Sequence, residues 1–152
     1  MNSKPKIELT LNKFDRSLEL LSKILLIVMW LLTIFVFIKS PTIIPTHFNA
    51  SGIPDDYGNK NSILILPLIA TIIFFGISWL TRYPHIFNYA STITEANAPK
   101  QYSQATRMLR FLKLAMLLIF TLLILLTYLT ASGVINSLGG WFLPAVIIIM
   151  LV

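Results

Sequence analysis

The sequence lacks cysteine altogether and has few charged residues, of which only a minority are acidic. The absence of cysteine excludes disulfides, thiol chemistry and Cys-ligated zinc sites. Charged residues make up 12% of the chain, about half of the roughly 25% that is usual in a soluble domain. Six acidic residues stand against 12 basic ones, for a net charge of +6. In so apolar a chain, such an excess is typical of loops that face anionic lipid, which argues against a nucleic-acid partner.

Apolar residues are what the sequence has in abundance: 56% of the chain is hydrophobic and the mean hydropathy is +0.78. Uncharged runs approach or reach the roughly 17–25 residues that cross a bilayer. The sequence therefore predicts an all-α integral membrane protein, a bundle of four transmembrane helices of which the fourth is short. The predicted segments are a cytoplasmic amphipathic helix (1–23), a first span (24–38), an outer loop (39–62), a second span (63–80), a cytoplasmic segment with a basic helix (81–113), a third span (114–131), an outer connector (132–140) and a short fourth span (141–152).

The first segment shows helical periodicity before the first span begins. Ile7, Leu11, Phe14, Leu18 and Leu21 recur at spacings of four and three, which places them on one face of a helix. This pattern predicts an interfacial helix that lies on the membrane surface and continues into the first span.

The distribution of basic residues predicts the orientation. Ten of the 12 lie in segments 1–23 and 81–113, and only Lys39 and Lys60 lie in the outer loop. Because basic residues are retained on the cytoplasmic side, the N-terminus is expected inside and the loop 39–62 outside, in a bacterial cytoplasmic (inner) membrane. The basic residues of 81–113 are expected to face lipid headgroups; docking of a soluble acidic partner is the alternative.

The polar stretch 44–60 separates the first two apolar runs and is the expected site of function. Residues 43–48 are predicted to be extended, and segments 49–52 and 54–57 to form turns. A recognition surface would use apolar and polar side chains from this stretch, namely Phe48, Ile53, Tyr57, His47, Asp55 and Asp56. Alternatively, the stretch is a compact turn whose polar groups satisfy its own backbone, with its glycines and prolines setting only its shape.

A metal site or an enzyme is the competing interpretation of the same residues. His47, Asp55 and Asp56 are acceptable ligands, but no fixed-spacing metal signature is present. The second histidine, His85, follows the second span and is expected on the opposite side of the membrane. No nucleophile elbow or oxyanion site is evident, so the sequence favours a protein without enzymatic activity or cofactor.

Two stretches resemble a bacterial membrane domain of unknown function that forms the N-terminal part of SdpI-type proteins. The first is Ile44-Pro-Thr-His-Phe-Asn-x-x-Gly-x-Pro-Asp-x-Tyr-Gly-x-Lys60, and the second is Arg82-Tyr-Pro-His-Ile-Phe-Asn88 followed by Thr94-Glu-x-Asn97 and Gln101-Tyr102. The resemblance covers roughly residues 20 to 131. SdpI-type proteins act in immunity against a secreted killing toxin and in signal transduction, and this chain looks like a short form without their C-terminal part.

The resemblance implies two groups of functional residues. Those expected to bind an extracytoplasmic peptide or protein are His47, Asn49, Gly52, Pro54, Asp55, Asp56, Tyr57, Gly58 and Lys60. Those expected to relay binding to a cytoplasmic regulator are Arg82, Tyr83, Pro84, His85, Asn88, Glu95 and Asn97. The leading expectation is thus a sensor or immunity module. A membrane enzyme or metal-bearing subunit at the outer leaflet is one alternative. The other is a scaffold subunit of an envelope complex, which would associate through small residues such as Gly76.

Overall fold

The computed structural model describes residues 4–151, which form long helices and one β-hairpin. The elements are α1 (Lys13–Lys39), β1 (Ile43–Phe48), β2 (Pro54–Asn59), a 3-10 helix (Lys60–Leu64), α2 (Ile65–Leu80), a second 3-10 helix (Pro84–Ile86), α3 (Ala98–Ala131) and α4 (Phe142–Leu151).

Among these elements, three helical segments are long and apolar enough to cross a membrane: Lys13–Lys39, Lys60–Leu80 and Ala98–Ala131. These three segments indicate a multi-pass membrane protein. α3 has 34 residues, or about 51 Å at 1.5 Å per residue, so it extends well beyond a hydrocarbon core about 30 Å thick. α4 has ten residues, or about 15 Å, and is too short to cross alone. The predicted fourth span, 141–152, is therefore not among the three spanning segments; residue 152 lies outside the described residues.

Local signals set the ends of α1. The Asn12 side chain accepts a hydrogen bond of 2.8 Å from the backbone N–H of Asp15, which caps the helix. At the other end, α1 stops at Lys39, before Pro41, whose ring cannot continue a helix.

The predicted amphipathic helix over 1–23 needs a correction. Residues 4–12 have no regular secondary structure, and the helix begins only at Lys13, from which it runs unbroken through the first apolar run. Residues 4–12 form what we call the N-terminal strap. The Tyr102 hydroxyl donates a 3.0 Å hydrogen bond to the Pro5 carbonyl, and the Lys4 ammonium donates to the Phe87 carbonyl. These bonds join residues over 80 positions apart, so periodicity within the strap could not reveal them. Residues 1–3 lie outside the described residues.

α3 is the central element, since α1 and α2 both pack on it and contact each other little. The core contains Met29 and Val36 from α1, Ala70 from α2, and Leu117 and Ile124 from α3, all fully buried. By contrast, many large apolar side chains on the outer faces of the helices are exposed. An apolar exterior of this kind is stable in lipid rather than in water.

Several polar side chains within the bundle form hydrogen bonds inside it. Thr33 donates to the Met29 carbonyl four residues earlier at 2.8 Å, and Ser22 does the same with Leu18. Trp30 donates its indole N–H to the Thr71 hydroxyl at 3.0 Å. The last of these bonds joins α1 to α2 directly.

The expectation of a purely α-helical fold is wrong for the loop 39–62, which contains two antiparallel strands. Pro41 and Pro45 prevent a helix here, and the β-branched residues around them favour extended backbone. Segment 54–57, predicted as a turn, belongs to β2 instead.

The chain topology gives the molecule two distinct ends. The hairpin end carries residues 40–64 and the connector 132–141. The basic end carries the strap and residues 81–97. Helices α1 and α3 run from the basic end to the hairpin end, and α2 returns.

Candidate functional site

The candidate site is the hairpin, whose turn is built by one side chain. Asn49 accepts hydrogen bonds from the backbone N–H groups of Ser51 at 3.0 Å and Ile53 at 3.1 Å. The Asn49 backbone N–H also donates to the Ile53 carbonyl, and the Asn49 carbonyl accepts from the Gly52 N–H. Asn49 therefore holds the backbone of the turn in place with its side chain, as Asn does in turns generally.

The hairpin is seated on the bundle by its first strand. Ile44 is 2% exposed and belongs to the same core cluster as the helices, and Pro45 beside it is buried. At the base, the Lys60 backbone N–H donates to the Thr42 carbonyl at 2.9 Å, and the Lys60 ammonium lies 5.0 Å from the centre of the Phe37 ring. The hairpin is thus attached to the helices at its first strand and at its base.

The tip of the hairpin is also attached to the connector before α4. The backbone N–H of Leu138 donates to the Gly52 carbonyl at 2.8 Å, and Leu138 is buried. Gly52 has a φ of +75°, and a Cβ atom at this position would lie 2.8 Å from the Gly139 carbonyl oxygen. Glycine is needed here for both its conformation and its size.

An acid–imidazole pair lies on the exposed surface of the hairpin. The His47 Nδ1 and Asp55 Oδ1 atoms are 2.5 Å apart, and 66% and 43% of the two side chains are exposed. The neighbouring Asp56 instead accepts a 3.2 Å bond from the Thr46 hydroxyl. The two neighbouring carboxylates thus bond to different partners, in a part of the hairpin where the strand register is irregular.

The different partners of Asp55 and Asp56 bear on the interpretation of these residues as metal ligands. In residues 4–151, no three His, Cys, Asp or Glu side chains come together in an arrangement that could hold a metal ion. The alternative ligand set His47, Asp55 and Asp56 is therefore not assembled in the structure.

The nine residues expected to bind a ligand consequently divide into two groups. His47, Asp55, Asp56 and Tyr57 are exposed side chains that a ligand can reach. Of the other five, Pro54 begins β2; the remaining four shape or seat the hairpin, namely Asn49, Gly52, Gly58 and Lys60. Gly58 is an example, because a Cβ atom there would come within 2.9 Å of the Thr46 methyl group.

The residues expected to relay binding lie at the basic end, but they do not form one cluster. Arg82 is exposed and lines a cavity, while Asn88 and Glu95 are exposed at the surface. The Tyr83 ring lies 5.1 Å from that of Trp79 and 6.2 Å from that of His85. Asn97 has a local structural role, since its amide accepts from the Thr94 N–H and donates to the Thr92 carbonyl, both at 2.9 Å.

Pro84 is buried and serves as an anchor for this segment. Its carbonyl accepts a 2.9 Å hydrogen bond from the Tyr89 hydroxyl. Burial, and secondarily the neighbouring Tyr102, raises the pKa of Tyr89 to about 12, so the hydroxyl stays protonated and can donate.

The main feature missed from the sequence is an ionic network at the basic end. Arg107 pairs with Asp15 at 2.8 Å, and Arg110 and Lys113 both pair with Glu19, at 3.0 and 2.7 Å. These three basic residues were expected to face lipid headgroups; they bind α1 instead. Asp15 and Glu19 are four residues apart on one helix, and the basic residues recur every third position on another. That complementary spacing was the one signal in the sequence for ion pairs between α1 and α3.

Comparison with known proteins finds a family match that includes the hairpin but names no activity. Residues 24–71 match the model of a family described as a domain of unknown function, DUF1648. The match includes most of α1, the whole hairpin and the start of α2. An uncharacterized protein of the archaeon Archaeoglobus fulgidus is 31% identical over 81 residues, which cover 48% of this chain and 44% of that protein. The chain therefore spans less than half the length of this relative. No solved structure matches the chain.

Proposed function

We propose that the protein is a non-enzymatic recognition module of the cytoplasmic membrane, similar to SdpI-type immunity and signalling proteins. In this proposal the hairpin end faces outward and binds a peptide or protein ligand, and the basic end faces the cytoplasm. The observation that carries the proposal is the exposed His47–Asp55 pair on a hairpin fixed to the bundle.

Rigidity of the hairpin favours binding. The hairpin is attached at its strand by Ile44, at its base by Lys60 and at its tip by Gly52. Because these attachments order the backbone before a ligand arrives, little conformational entropy is lost on binding. The exposed polar pair and the exposed Tyr57 ring on the same hairpin offer hydrogen-bonding and aromatic contacts of the kind found in protein recognition.

Connectivity favours transmission of the binding event. β1 follows α1 directly, β2 leads through a 3-10 helix into α2, and the tip is bonded to the connector before α4. A ligand that prefers one position of the hairpin would bias the packing of these helices. The ionic network at their far ends is the part of the basic end that such a change would alter.

The test is protection of toxin-sensitive bacteria. Cells sensitive to a secreted peptide toxin of the type that SdpI-type proteins neutralise would express the wild type, His47→Ala or Asp55→Ala, and survival would be measured against toxin dose. A hydrogen bond to a charged group is worth about 1.5–3 kcal/mol. Each substitution is therefore expected to lower, by about tenfold or more, the highest toxin dose that the cells survive.

Ser51→Ala provides the matched control, since Ser51 is exposed on the same hairpin and only its backbone is bonded to Asn49. This variant is expected to protect like the wild type, and all variants should reach the membrane in equal amounts on immunoblots. Equal protection by wild type and His47→Ala would contradict the proposed site. No protection by the wild type would contradict toxin immunity itself, and loss of both variants from the membrane would assign the pair a structural role.

A further inference from the structure

A cavity of about 800 Å³ opens at the basic end, between the N-terminal strap, α1 and the end of α2. α1 and α2 pack mainly on α3 and contact each other little. Strap residues 7–11 form one wall of the cavity. The cavity is separate from the hairpin, which lies at the other end of the bundle.

The cavity walls carry an excess of positive charge. Arg16, Lys23, Arg82 and Arg110 line it, together with Glu8 and Glu19. Arg110 is already paired with Glu19. In residues 4–151, none of the ion pairs involves Arg16, Lys23 or Arg82. Apart from the Arg110–Glu19 pair, three cationic side chains and one carboxylate, that of Glu8, line the cavity. The resulting positive charge makes the cavity complementary to an anion.

The same cavity has an apolar side toward the surrounding lipid. Leu20 from α1 and Phe75 from α2 line it and are 59% and 63% exposed. An acyl chain could lie against both side chains without leaving the hydrophobic layer.

The depth of the cationic groups matches that of lipid headgroups. Along α1, Lys23 lies about 24 Å from Lys39 and Arg16 about 35 Å, at 1.5 Å per residue. These distances bracket the roughly 30 Å thickness of the hydrocarbon core. Arg82 follows the end of α2 at the same side.

We propose that this cavity binds the phosphate headgroup of an acidic phospholipid from the leaflet at the basic end. Arg16, Lys23 and Arg82 contact the phosphate, and the acyl chains lie along Leu20 and Phe75. Basic pockets between transmembrane helices bind acidic headgroups by this combination of charge and apolar surface.

The test is lipid-dependent stability of the purified full-length protein in a neutral detergent. Dioleoyl phosphatidylglycerol is expected to raise the apparent Tm by about 5 °C, since a ligand that binds only the folded state stabilises it. Dioleoyl phosphatidylcholine and inorganic phosphate at the same concentration are expected to leave it unchanged. The double variant Lys23→Gln/Arg82→Gln should lose the shift.

Lys13→Gln/Lys100→Gln is the matched control, because it removes two exposed positive charges at the same end but outside the cavity lining. It should keep the full shift, and both double variants should match the wild type in far-UV circular dichroism without lipid. If both double variants lose the Tm shift equally, the lipid is attracted by the surface charge in general and not by this cavity. An equal shift with inorganic phosphate would make the ligand a soluble anion, and no preference for phosphatidylglycerol would overturn the proposal.

Discussion

At the scale of single residues, Lys113 shows how a charge is accommodated beside the hydrophobic layer. Its side chain is 0% exposed. The ammonium group bonds to Glu19 at 2.7 Å and to the Ser78 hydroxyl at 3.0 Å, and it lies 4.8 Å from the centre of the Phe74 ring. One residue of α3 thus joins α1 and α2. Breaking a buried pair is costly because the remaining charge loses its partner without regaining water.

Glu19→Gln is therefore expected to destabilise the protein by about 2 kcal/mol, because Lys113 and Arg110 both lose their counter-charge. Thermal unfolding in detergent, followed by tryptophan fluorescence, measures the loss. The double variant Glu19→Gln/Lys113→Met should recover part of it, since the uncompensated ammonium is then gone. Additive losses in the double variant would show that the two residues are not coupled.

At the scale of elements, the hairpin depends on its contact with the connector before α4. The contact needs the positive φ of Gly52 and the close approach of Gly139. Gly133 also has a positive φ, of +73°, but nothing lies within 4 Å of a Cβ atom built there. Gly52 thus needs glycine both for its positive φ and for lack of space, whereas Gly133 needs it only for its positive φ.

Gly52→Ala is expected to cost about 2–3 kcal/mol, from the left-handed backbone together with the clash against Gly139. Gly133→Ala should cost only about 1 kcal/mol, from the backbone alone. Thermal unfolding of the two variants gives both values, and limited proteolysis should cleave the connector 132–141 faster in Gly52→Ala. Equal losses of stability would mean that the hairpin tip is not held against the connector.

At the scale of the whole molecule, the three spanning segments put the hairpin and the strap at opposite ends. The sequence has no cysteine, so an introduced cysteine is the only thiol that a labelling reagent can modify. This makes the arrangement easy to test. Ser51 at the hairpin tip and Ser91 at the basic end are both exposed.

A membrane-impermeant maleimide is expected to label Ser51→Cys in intact cells and Ser91→Cys only after the cells are permeabilised. This expectation follows from the ten basic residues near the basic end, because basic residues are generally retained on the cytoplasmic side. The opposite labelling pattern would reverse the proposed orientation. Labelling of both positions in intact cells would contradict an odd number of membrane crossings between them.

The sequence by itself determined the membrane character of the protein, its three long apolar segments and the position of the polar stretch between the first two. These features depend on local composition and periodicity, which a single segment displays without its neighbours. The sequence named His47 and Asp55, but their contact depends on an irregular strand register in which His47 lies opposite Asp56. The tertiary structure alone decided that Lys113 binds Glu19, that the strap crosses to Tyr102 and that a cationic cavity opens between α1 and α2. The physical reason is that these contacts join residues far apart in the chain, whose distances depend on how the helices pack against α3.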